Sequence, residues 1–426
     1  MYDAGQTIYS SPALGTDGTI YLGAGVNFYA ITNFGSGASN KWVFTTSAAV
    51  SAAPAIGPDG GICCVGGALY SLNPDGTERW HFGSGAGQGA AAIGFDGSIY
   101  FVGANGTLFA VSATGTQMWT AAVGNVDLQK SPTLGADGSI YLCASDLGAL
   151  YSWNGDGTLK WQRALNGGSD SVSLASDGTI YVSAEYSLCA FASDGTSLWN
   201  YSTNGYADHC PVIGQGGTLY LAAWESEAPL GYIIVLRAIL PTGVLNWEFK
   251  QPSSWGQAYG PPTPAVDSAG TIYYTGFGTL YAISANGQLE WTFNGGNNTD
   301  TGTYSYTSPL VGPDGTIYVT FGSKLYAIAG TNALAASPWP MYRQNPRRTG
   351  KVERPVLKQP HKRADANFEF QLYPQQFGLT YTIESSSNLN TWISLTSFVA
   401  NTLPMDVLDL SASNAPIRFY RAFSGP

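Results

Sequence analysis

The sequence predicts an all-β protein, an eight-bladed β-propeller of four-stranded blades followed by a small β-sandwich domain. Glycine makes up 54 of the 426 residues, 13% are aromatic and only 11% are charged. This composition favours short strands joined by tight turns. A unit of about 40 residues also recurs eight times, which is typical of propeller blades. The last sixty residues lack that unit and instead alternate apolar and polar residues over five short stretches, the pattern of a small β-domain.

Each repeat contains a tight turn followed by an apolar strand, as in SPTLGADGSIYL at residues 131–142. The turn positions are Asp17, Asp59, Asp96, Asp137, Asp177, Gly216, Ala269 and Asp314. An LYA-like strand, a second glycine turn and a tryptophan usually follow. The tryptophans are Trp42, Trp80, Trp119, Trp161, Trp199, Trp247 and Trp291. Four short strands per unit predict one propeller blade for each repeat.

The recurring aspartate is interpreted as a turn residue, because Asp-Gly suits tight hairpins and two repeats lack the aspartate altogether. Calcium binding is the alternative, although no further oxygen ligands recur beside it. The recurring tryptophan is interpreted as a packing element between neighbouring blades. We also expect residues 2–9 to supply a strand to the last blade and so close the ring. The alternative is closure by Trp339 and its neighbours.

Charge divides the chain into an acidic body and a basic C-terminal part. Residues 1–340 carry 8 Lys and Arg against 22 Asp and Glu, whereas residues 341–426 carry 10 against 6. An acidic body disfavours nucleic acid as a partner. Residues 343–363 hold 8 of the 18 basic residues. This basic run contains several prolines and has no periodicity, which predicts a solvated linker. We therefore expect a propeller at 1–344, a basic linker at 345–366 and a β-sandwich at 367–426.

The repeat rhythm resembles the PQQ-like, or quinoprotein-type, β-propeller repeat family. SPWPMYRQNPRRTG, residues 337–350, resembles the ending of many secreted bacterial members, and the C-terminal module resembles small β-sandwiches of secreted Verrucomicrobia-type proteins. The family includes quinone-dependent dehydrogenases, outer-membrane assembly scaffolds and uncharacterised secreted proteins. The resemblance therefore implies a periplasmic or extracellular protein. Residues 2–5 have neither a basic nor an apolar region, so we expect no signal peptide there, and no apolar run predicts a membrane span.

The resemblance raises the question of a bound quinone. Quinoprotein alcohol dehydrogenases carry a vicinal cysteine pair, and this chain has Cys63 and Cys64 in a strand. Buried free thiols explain the pair equally well, and a matching set of calcium ligands is not found. The five cysteines show no zinc spacing. We expect no cofactor, with PQQ and calcium as the alternative.

The loops of repeats five to seven are longer than the others and carry aromatic, amide and acidic side chains. We expect these residues to bind a ligand: Tyr206, Trp224, Glu225, Trp255, Gln257, Tyr259, Tyr304 and Tyr306. Flat rings suit the apolar faces of sugars, and acids and amides suit their hydroxyls. The alternative is that these rings only pack the long loops.

Three consecutive repeats contribute Lys130, Asp170 and His209 at one register position near the predicted channel mouth. Such a trio is a weak candidate for acid–base catalysis, and an ion pair that fills the channel is the simpler interpretation. We therefore expect a monomeric, secreted or envelope binding protein that is not an enzyme. Its partner would be a polysaccharide or a protein. The alternatives are a quinone-dependent dehydrogenase, a carbohydrate-active enzyme and an assembly scaffold.

Overall fold

The computed structural model describes most of the chain. The described residues are 1–34, 37–83, 85, 87–94, 96–124, 130–144, 148–166, 171–207, 209–227, 231–251, 262–276, 278–295, 307–345, 347–351, 356–362, 368–373, 380–387, 392–399, 405–409 and 419–424. They form two compact units, Met1–Lys351 and Val352–Pro426. Both units are built from β-strands, and the described residues add only a short 3₁₀ turn at Gln215–Gly217.

The first unit is an eight-bladed propeller of antiparallel four-stranded sheets, as predicted. The first strand, β1 (Tyr2–Asp3), belongs to the last blade. Blade 1 contains β2 (Ala13–Leu14), β3 (Ile20–Ala24), β4 (Asn27–Phe34) and β5 (Gly37–Thr45), and blade 2 contains β6 (Ala55–Ile56), β7 (Ile62–Val65), β8 (Leu69–Leu72) and β9 (Glu78–Phe82). Blade 3 contains β10 (Ala92–Ile93), β11 (Ile99–Val102), β12 (Thr107–Val111) and β13 (Gln117–Ala122). Blade 4 contains β14 (Thr133–Leu134), β15 (Ile140–Ala144), β16 (Ala149–Trp153) and β17 (Leu159–Ala164).

Blades 5 to 8 follow the same plan, except that β1 completes blade 8. Blade 5 contains β18 (Ser173–Leu174), β19 (Ile180–Ala184), β20 (Ser187–Phe191) and β21 (Ser197–Ser202), and blade 6 contains β22 (Val212–Ile213), β23 (Leu219–Glu227), β24 (Gly231–Ile239) and β25 (Leu245–Lys250). Blade 7 contains β26 (Ala265–Val266), β27 (Ile272–Gly276), β28 (Thr279–Ile283) and β29 (Leu289–Asn294). Blade 8 contains β30 (Leu310–Val311), β31 (Ile317–Phe321) and β32 (Lys324–Ile328).

Burial along each blade follows from the ring. The second strand is buried on both faces because neighbouring blades cover it, as in β15, where all five residues are buried. The fourth strand lies outermost and alternates between exposed and partly buried residues, as in β21. The repeat tryptophan lies on this outermost strand. Its indole Nε1 donates to a carbonyl in the next blade, as from Trp161 to Ser193 at 3.0 Å. The predicted role of the tryptophan in packing between blades is confirmed.

The turn aspartates serve the local backbone. In blade 4 the Asp137 carboxylate accepts hydrogen bonds from the backbone amide of Ser139 at 3.0 Å and from its hydroxyl at 2.7 Å. The same amide-to-carboxylate bond recurs in blades 1 and 8, from Thr19 to Asp17 and from Thr316 to Asp314. The aspartates are therefore turn residues, as predicted. We call the end of the ring that carries these turns the turn face, and the opposite end the loop face.

The N-terminal strand completes the last blade and closes the ring. Strand β1 pairs antiparallel with β32, with Tyr2 opposite Leu325. The predicted closure by an N-terminal strand is therefore confirmed. The alternative, closure by Trp339 and its neighbours, is wrong, because β1 is the fourth strand of the last blade and the Trp339 carbonyl instead accepts from the amide of Ile213 in blade 6.

Trp339 belongs to a stretch that we call the central segment, residues 333–351. Its backbone bonds the innermost strands of several blades at the turn face, including the amides of Ile56, Ile93, Leu134, Ile213 and Val266. The expected linker at 345–366 is therefore wrong over residues 345–351, which belong to the propeller. Arg343 and Arg348 are fully buried rather than solvated. Backbone carbonyls around the axis accept their guanidinium hydrogens, which makes their burial possible.

The second unit contains two three-stranded sheets, β33-β34-β37 and β36-β35-β38. Its strands are β33 (Val356–Lys362), β34 (Phe368–Tyr373), β35 (Thr380–Ser386), β36 (Ile393–Val399), β37 (Met405–Asp409) and β38 (Phe419–Ser424). Phe370 and Ile383, from different sheets, share one apolar core. The five predicted strands are present. The predicted linker contributes a sixth, β33, which pairs with β34.

Candidate functional site

Blade 6 has an unusually long hairpin on the loop face. Strands β23 and β24 have nine residues each, whereas the corresponding strands of blades 5 and 7 have five. Pairing continues without a break from Leu219 and Ile239 to Glu227 and Gly231. The hairpin therefore extends beyond the neighbouring blades and raises its last residues above the loop face.

Aromatic side chains cluster where this hairpin meets blade 5. The rings of Tyr206 and Trp224 lie 5.5 Å apart, and those of Trp224 and Tyr232 meet edge to face at 4.9 Å. Tyr186, in the turn between β19 and β20, contacts Tyr206 at 6.0 Å. We call these four side chains, Tyr186, Tyr206, Trp224 and Tyr232, the aromatic row. Tyr186 is 57% exposed and the other three are partly buried, so the row reaches the surface.

Backbone hydrogen bonds fix the row. Tyr206 and Trp224 exchange two backbone bonds, of 2.9 and 3.1 Å. The carbonyl of Tyr186 accepts from Thr203, and that of Glu185 accepts from Ala207. Glu185 has a φ of 47°, a conformation that is uncommon for a residue other than glycine. The connection between blades 5 and 6 therefore holds the Tyr186 turn in a defined, strained position.

An open groove of about 670 Å³ lies beside Tyr186. It runs over blade 5 and reaches the end of blade 4. We call it the blade-5 groove; its lining includes Asn166, Glu185, Tyr186, Ser187, Asn200 and Ser202. Amide and hydroxyl groups dominate this lining, and they can both donate and accept hydrogen bonds. Because Tyr186 belongs to both features, the aromatic row and the groove form one continuous surface.

Glu225 differs from the sequence-based expectation. Its carboxylate pairs with the guanidinium of Arg237, which is 2% exposed, while the side chain of Glu225 is 15% exposed. Glu248 lies 3.7 Å from the same guanidinium. The buried arginine therefore holds Glu225 inward, and its carboxylate is directed to the protein interior instead of to a ligand.

The other predicted site residues divide into those that the structure describes and those that it does not. Tyr206 and Trp224 are brought together. Trp255, Gln257, Tyr259, Tyr304 and Tyr306 lie outside the described residues. Asp170 also lies outside them, so the trio with Lys130 and His209 stays a prediction. Lys130 is buried, and the carbonyl of the partly buried His209 accepts from the Ser183 hydroxyl at 2.8 Å.

Sequence reasoning did not identify Tyr186, Tyr232 or the blade-5 groove. The predicted ligand-binding residues lie in long loops, whereas Tyr186 occupies a turn of only two residues, Glu185 and Tyr186. A large aromatic residue in so short a turn was the available signal, because nothing in the turn itself requires a ring. The groove had no comparable signal, since blades 4 and 5 both contribute to it.

The cysteines do not fit a quinone pocket. Cys63 packs in the core between blades 2 and 3, whereas Cys64 packs in the core between blades 1 and 2. Burial raises the pKa of Cys63 to about 12 and that of Cys64 well above its ordinary value. All five cysteines are buried. The two thiols therefore lie in different cores and do not form a joint site for a cofactor, and the expected absence of a cofactor stays a prediction.

Among the residues that the structure describes, no group of three or more His, Cys, Asp or Glu side chains is arranged to hold a metal ion. Within the same part of the chain, no helix has the length and apolar character needed to cross a membrane.

The repeats match a known family model. The model described as outer membrane protein assembly factor BamB matches residues 65–146 and 104–223, which extend from blade 2 into blade 6. This match supports PQQ-like repeats in blades 2 to 6 of the eight-bladed propeller. No curated protein matches the sequence.

Solved structures support the same fold. BamB from Moraxella catarrhalis is 16% identical, with a TM-score of 0.57, and the match covers 76% of this chain and 94% of that protein. The C-terminal WD40 domain of Sif2 is 11% identical, also with a TM-score of 0.57, over 76% of this chain and 99% of that domain. Virginiamycin B lyase from Staphylococcus aureus is 14% identical, with a TM-score of 0.50, and the match covers 64% of this chain and 94% of that protein. These similarities concern the fold alone.

Proposed function

We propose that this protein is a binding protein of the cell envelope that holds a neutral polysaccharide on the loop face of blades 5 and 6. The observation that carries the proposal is the continuity of the aromatic row with the blade-5 groove through Tyr186. An extended sugar chain needs both features, because its rings have apolar faces and its edges carry hydroxyl groups.

The aromatic row supplies the apolar contacts. The faces of sugar rings stack on partly exposed aromatic rings, which bury apolar area at a small cost in conformational entropy. Tyr186 is the most exposed ring, and the Thr203 amide fixes its turn. A site that is fixed before binding loses less entropy when the ligand arrives.

The groove supplies the polar contacts. Asn166, Asn200 and Ser202 carry groups that donate and accept hydrogen bonds, and sugar hydroxyls need both. Glu185 is the charged residue among those that line the groove. A mostly uncharged lining favours a neutral glycan over a polyanion or polycation.

We infer binding without catalysis. Most glycoside hydrolases use two carboxyl groups on opposite sides of the scissile bond. The described lining of the groove offers the carboxyl group of Glu185 alone, since Arg237 pairs with Glu225. A carbohydrate-active enzyme or a quinone-dependent dehydrogenase on this face is the less supported alternative.

A protein partner is the second candidate. The matching family model is described as an outer membrane protein assembly factor, and one similar structure is BamB. These similarities favour a role as an envelope scaffold. They also support a periplasmic or extracellular location, which the resemblance of the repeats implied.

The test is binding to a panel of neutral and charged polysaccharides by affinity electrophoresis, with Tm measured in parallel. Tyr186→Ala should weaken binding about tenfold without lowering Tm by more than a degree or two, because the ring is mostly exposed. Tyr9→Ala is the matched control, since Tyr9 is 50% exposed on another part of the ring. Retention of every glycan by a folded Tyr186→Ala variant would refute the proposal. Binding to no glycan would favour the protein partner.

A further inference from the structure

Blade 2 departs from the repeat at two positions that lie close together on the turn face. Seven blades have tyrosine in the second strand: Tyr21, Tyr100, Tyr141, Tyr181, Tyr220, Tyr273 and Tyr318. Blade 2 has Cys63 there. Two residues earlier, the same seven blades have Ser or Thr, whereas blade 2 has Gly61. Blade 2 therefore lacks a phenol ring and a neighbouring hydroxyl that the rest of the propeller possesses.

The tyrosine ring fills space between neighbouring blades. Tyr100 lies 5.9 Å from Trp119, the tryptophan of its own blade, and Tyr141 lies 6.0 Å from Trp161. In blade 7 the hydroxyl end of the ring lies beside the turn: Tyr273 donates at 2.8 Å to Asp267, which stands two residues before the turn position Ala269. Each ring is thus an apolar wedge with its polar end at the turn face.

In blade 2 the corresponding space is a cavity of about 250 Å³ between blades 2 and 3. Its lining includes Asp59, Cys63, Ser71, Arg79, Ile93 and Ile99. The two isoleucines and the neutral thiol form an apolar wall. The ion pair of Asp59 and Arg79, 2.5 Å apart, lies near the entrance, where the side chain of Asp59 is 61% exposed.

The position of Arg79 matches the missing hydroxyl. A Cβ atom added at Gly61 would collide with the Arg79 guanidinium, so this group occupies the place that Ser or Thr takes in the other blades. A guanidinium can donate to a phenol oxygen, and the Asp59 carboxylate can accept from a phenol hydroxyl. The polar groups therefore lie where the hydroxyl end of a ring would arrive.

We propose that this cavity binds a phenol ring, supplied by a small molecule or by the tyrosine side chain of a peptide. The ring would occupy the place that tyrosine fills in the seven other blades. The repeat itself defines the ligand, because the same backbone already surrounds a phenol at each equivalent position. This site lies on the turn face and does not depend on the proposed glycan surface.

The experiment is calorimetric titration of the full chain with p-cresol and with N-acetyltyrosinamide. We expect saturable binding of p-cresol with one site per chain. Binding of both probes assigns a tyrosine side chain, and binding of p-cresol alone assigns a small phenol. Binding of neither probe to folded protein would overturn the proposal.

Two variants connect the binding to the cavity. Cys63→Tyr restores the ring of the repeat and should weaken p-cresol binding at least about tenfold while raising Tm. Gly61→Ser restores the hydroxyl, displaces Arg79 and should also weaken binding, which keeps the test valid if the first variant does not fold. Tyr141→Cys is the matched control, because it opens the equivalent space in blade 4 and should add a second site. Unchanged binding in folded Cys63→Tyr or Gly61→Ser would refute the assignment.

Discussion

The guanidinium of Arg348 donates a hydrogen bond of 3.0 Å to the carbonyl oxygen of Pro12, at the opposite end of the propeller sequence. The same side chain donates to the carbonyls of Ser308 and Pro309 at 3.2 Å and to Tyr342 at 2.6 Å. One buried arginine thus connects the first blade, the last blade and the central segment. Burial lowers the pKa of Arg348 to about 9, which leaves the group charged at neutral pH.

Arg348→Lys should therefore destabilise the propeller. An ammonium group cannot reproduce a planar fork of donors, so several buried carbonyls would lose their partner, at a cost of about 3 kcal/mol. Urea unfolding measures this effect. Arg421→Lys in the second unit is the control, because Arg421 is half exposed and pairs with Glu384, an interaction worth less than about 1 kcal/mol. Equal losses in both variants would contradict the role of the central segment.

A second prediction concerns the contact between blades 4 and 5. Gly195 has a φ of 82°, and a Cβ atom there would lie 2.8 Å from the Trp161 ring. Gly138 has a φ of 84° with nothing within 4 Å of its Cβ position. Gly138→Ala should lower the free energy of unfolding by about 1 kcal/mol, through the backbone conformation alone. Gly195→Ala should cost about 2 kcal/mol more, because it also overpacks the tryptophan. Similar Tm values for both variants would mean that Trp161 does not pack tightly on blade 5.

The third prediction concerns the acid dependence of a turn. Burial by itself raises the pKa of Asp137, but the Ser139 hydroxyl and amide and the Lys160 ammonium together lower it below 3.8. A lowered pKa in the folded state stabilises the protein above the unfolded pKa, and this stabilisation is lost as the pH falls through the folded value. Lys160→Met should therefore be less stable at pH 7 by under about 1 kcal/mol, since the pair is partly exposed. Urea midpoints of the two proteins should converge as the pH falls below 3.8 and Asp137 becomes protonated, and a difference that persists after Asp137 is fully protonated would contradict this coupling.

The repeated features could be predicted from the sequence because each depends on a few neighbouring residues. An Asp-Gly turn and a tryptophan at a fixed distance recur in most blades, and the structure uses them in the same way each time. The central segment could not be predicted in this way. Arg343 and Arg348 resemble solvated linker residues until distant carbonyls around the axis are brought beside them. The same limit applies to β33, whose pairing partner, β34, gives the segment its strand structure.

The candidate site shows this limit at the level of single side chains. Sequence reasoning identified Tyr206 and Trp224 because they lie in long connections rich in aromatic residues. It assigned Glu225 to the ligand for the same reason. The buried Arg237 comes from the opposite strand of the hairpin, and its effect on Glu225 depends on strand register. The pairing register of β23 and β24, which covers nine residue pairs, could not be predicted from the amino-acid composition of the loop.

Glu225→Gln distinguishes these two roles of Glu225. The neutral amide would leave Arg237, which is 2% exposed, without its nearest carboxylate, and the loss of one partner of a buried pair costs roughly 3 kcal/mol. We therefore expect a clear fall in Tm. At a temperature where the variant is folded, glycan binding should be unchanged, because the carboxylate does not line the groove.

Glu248→Gln is the matched control for that experiment. Glu248 lies 3.7 Å from the same guanidinium, but its side chain is 39% exposed, so its removal should cost less than about 1 kcal/mol. A larger loss of Tm in Glu225→Gln than in Glu248→Gln supports the structural role, because Glu225 lies closer than Glu248 to the Arg237 guanidinium. The opposite result, in which Glu225→Gln keeps its Tm and loses the glycan, would return Glu225 to the ligand site. The ion pair with Arg237 would then have to open when the ligand binds.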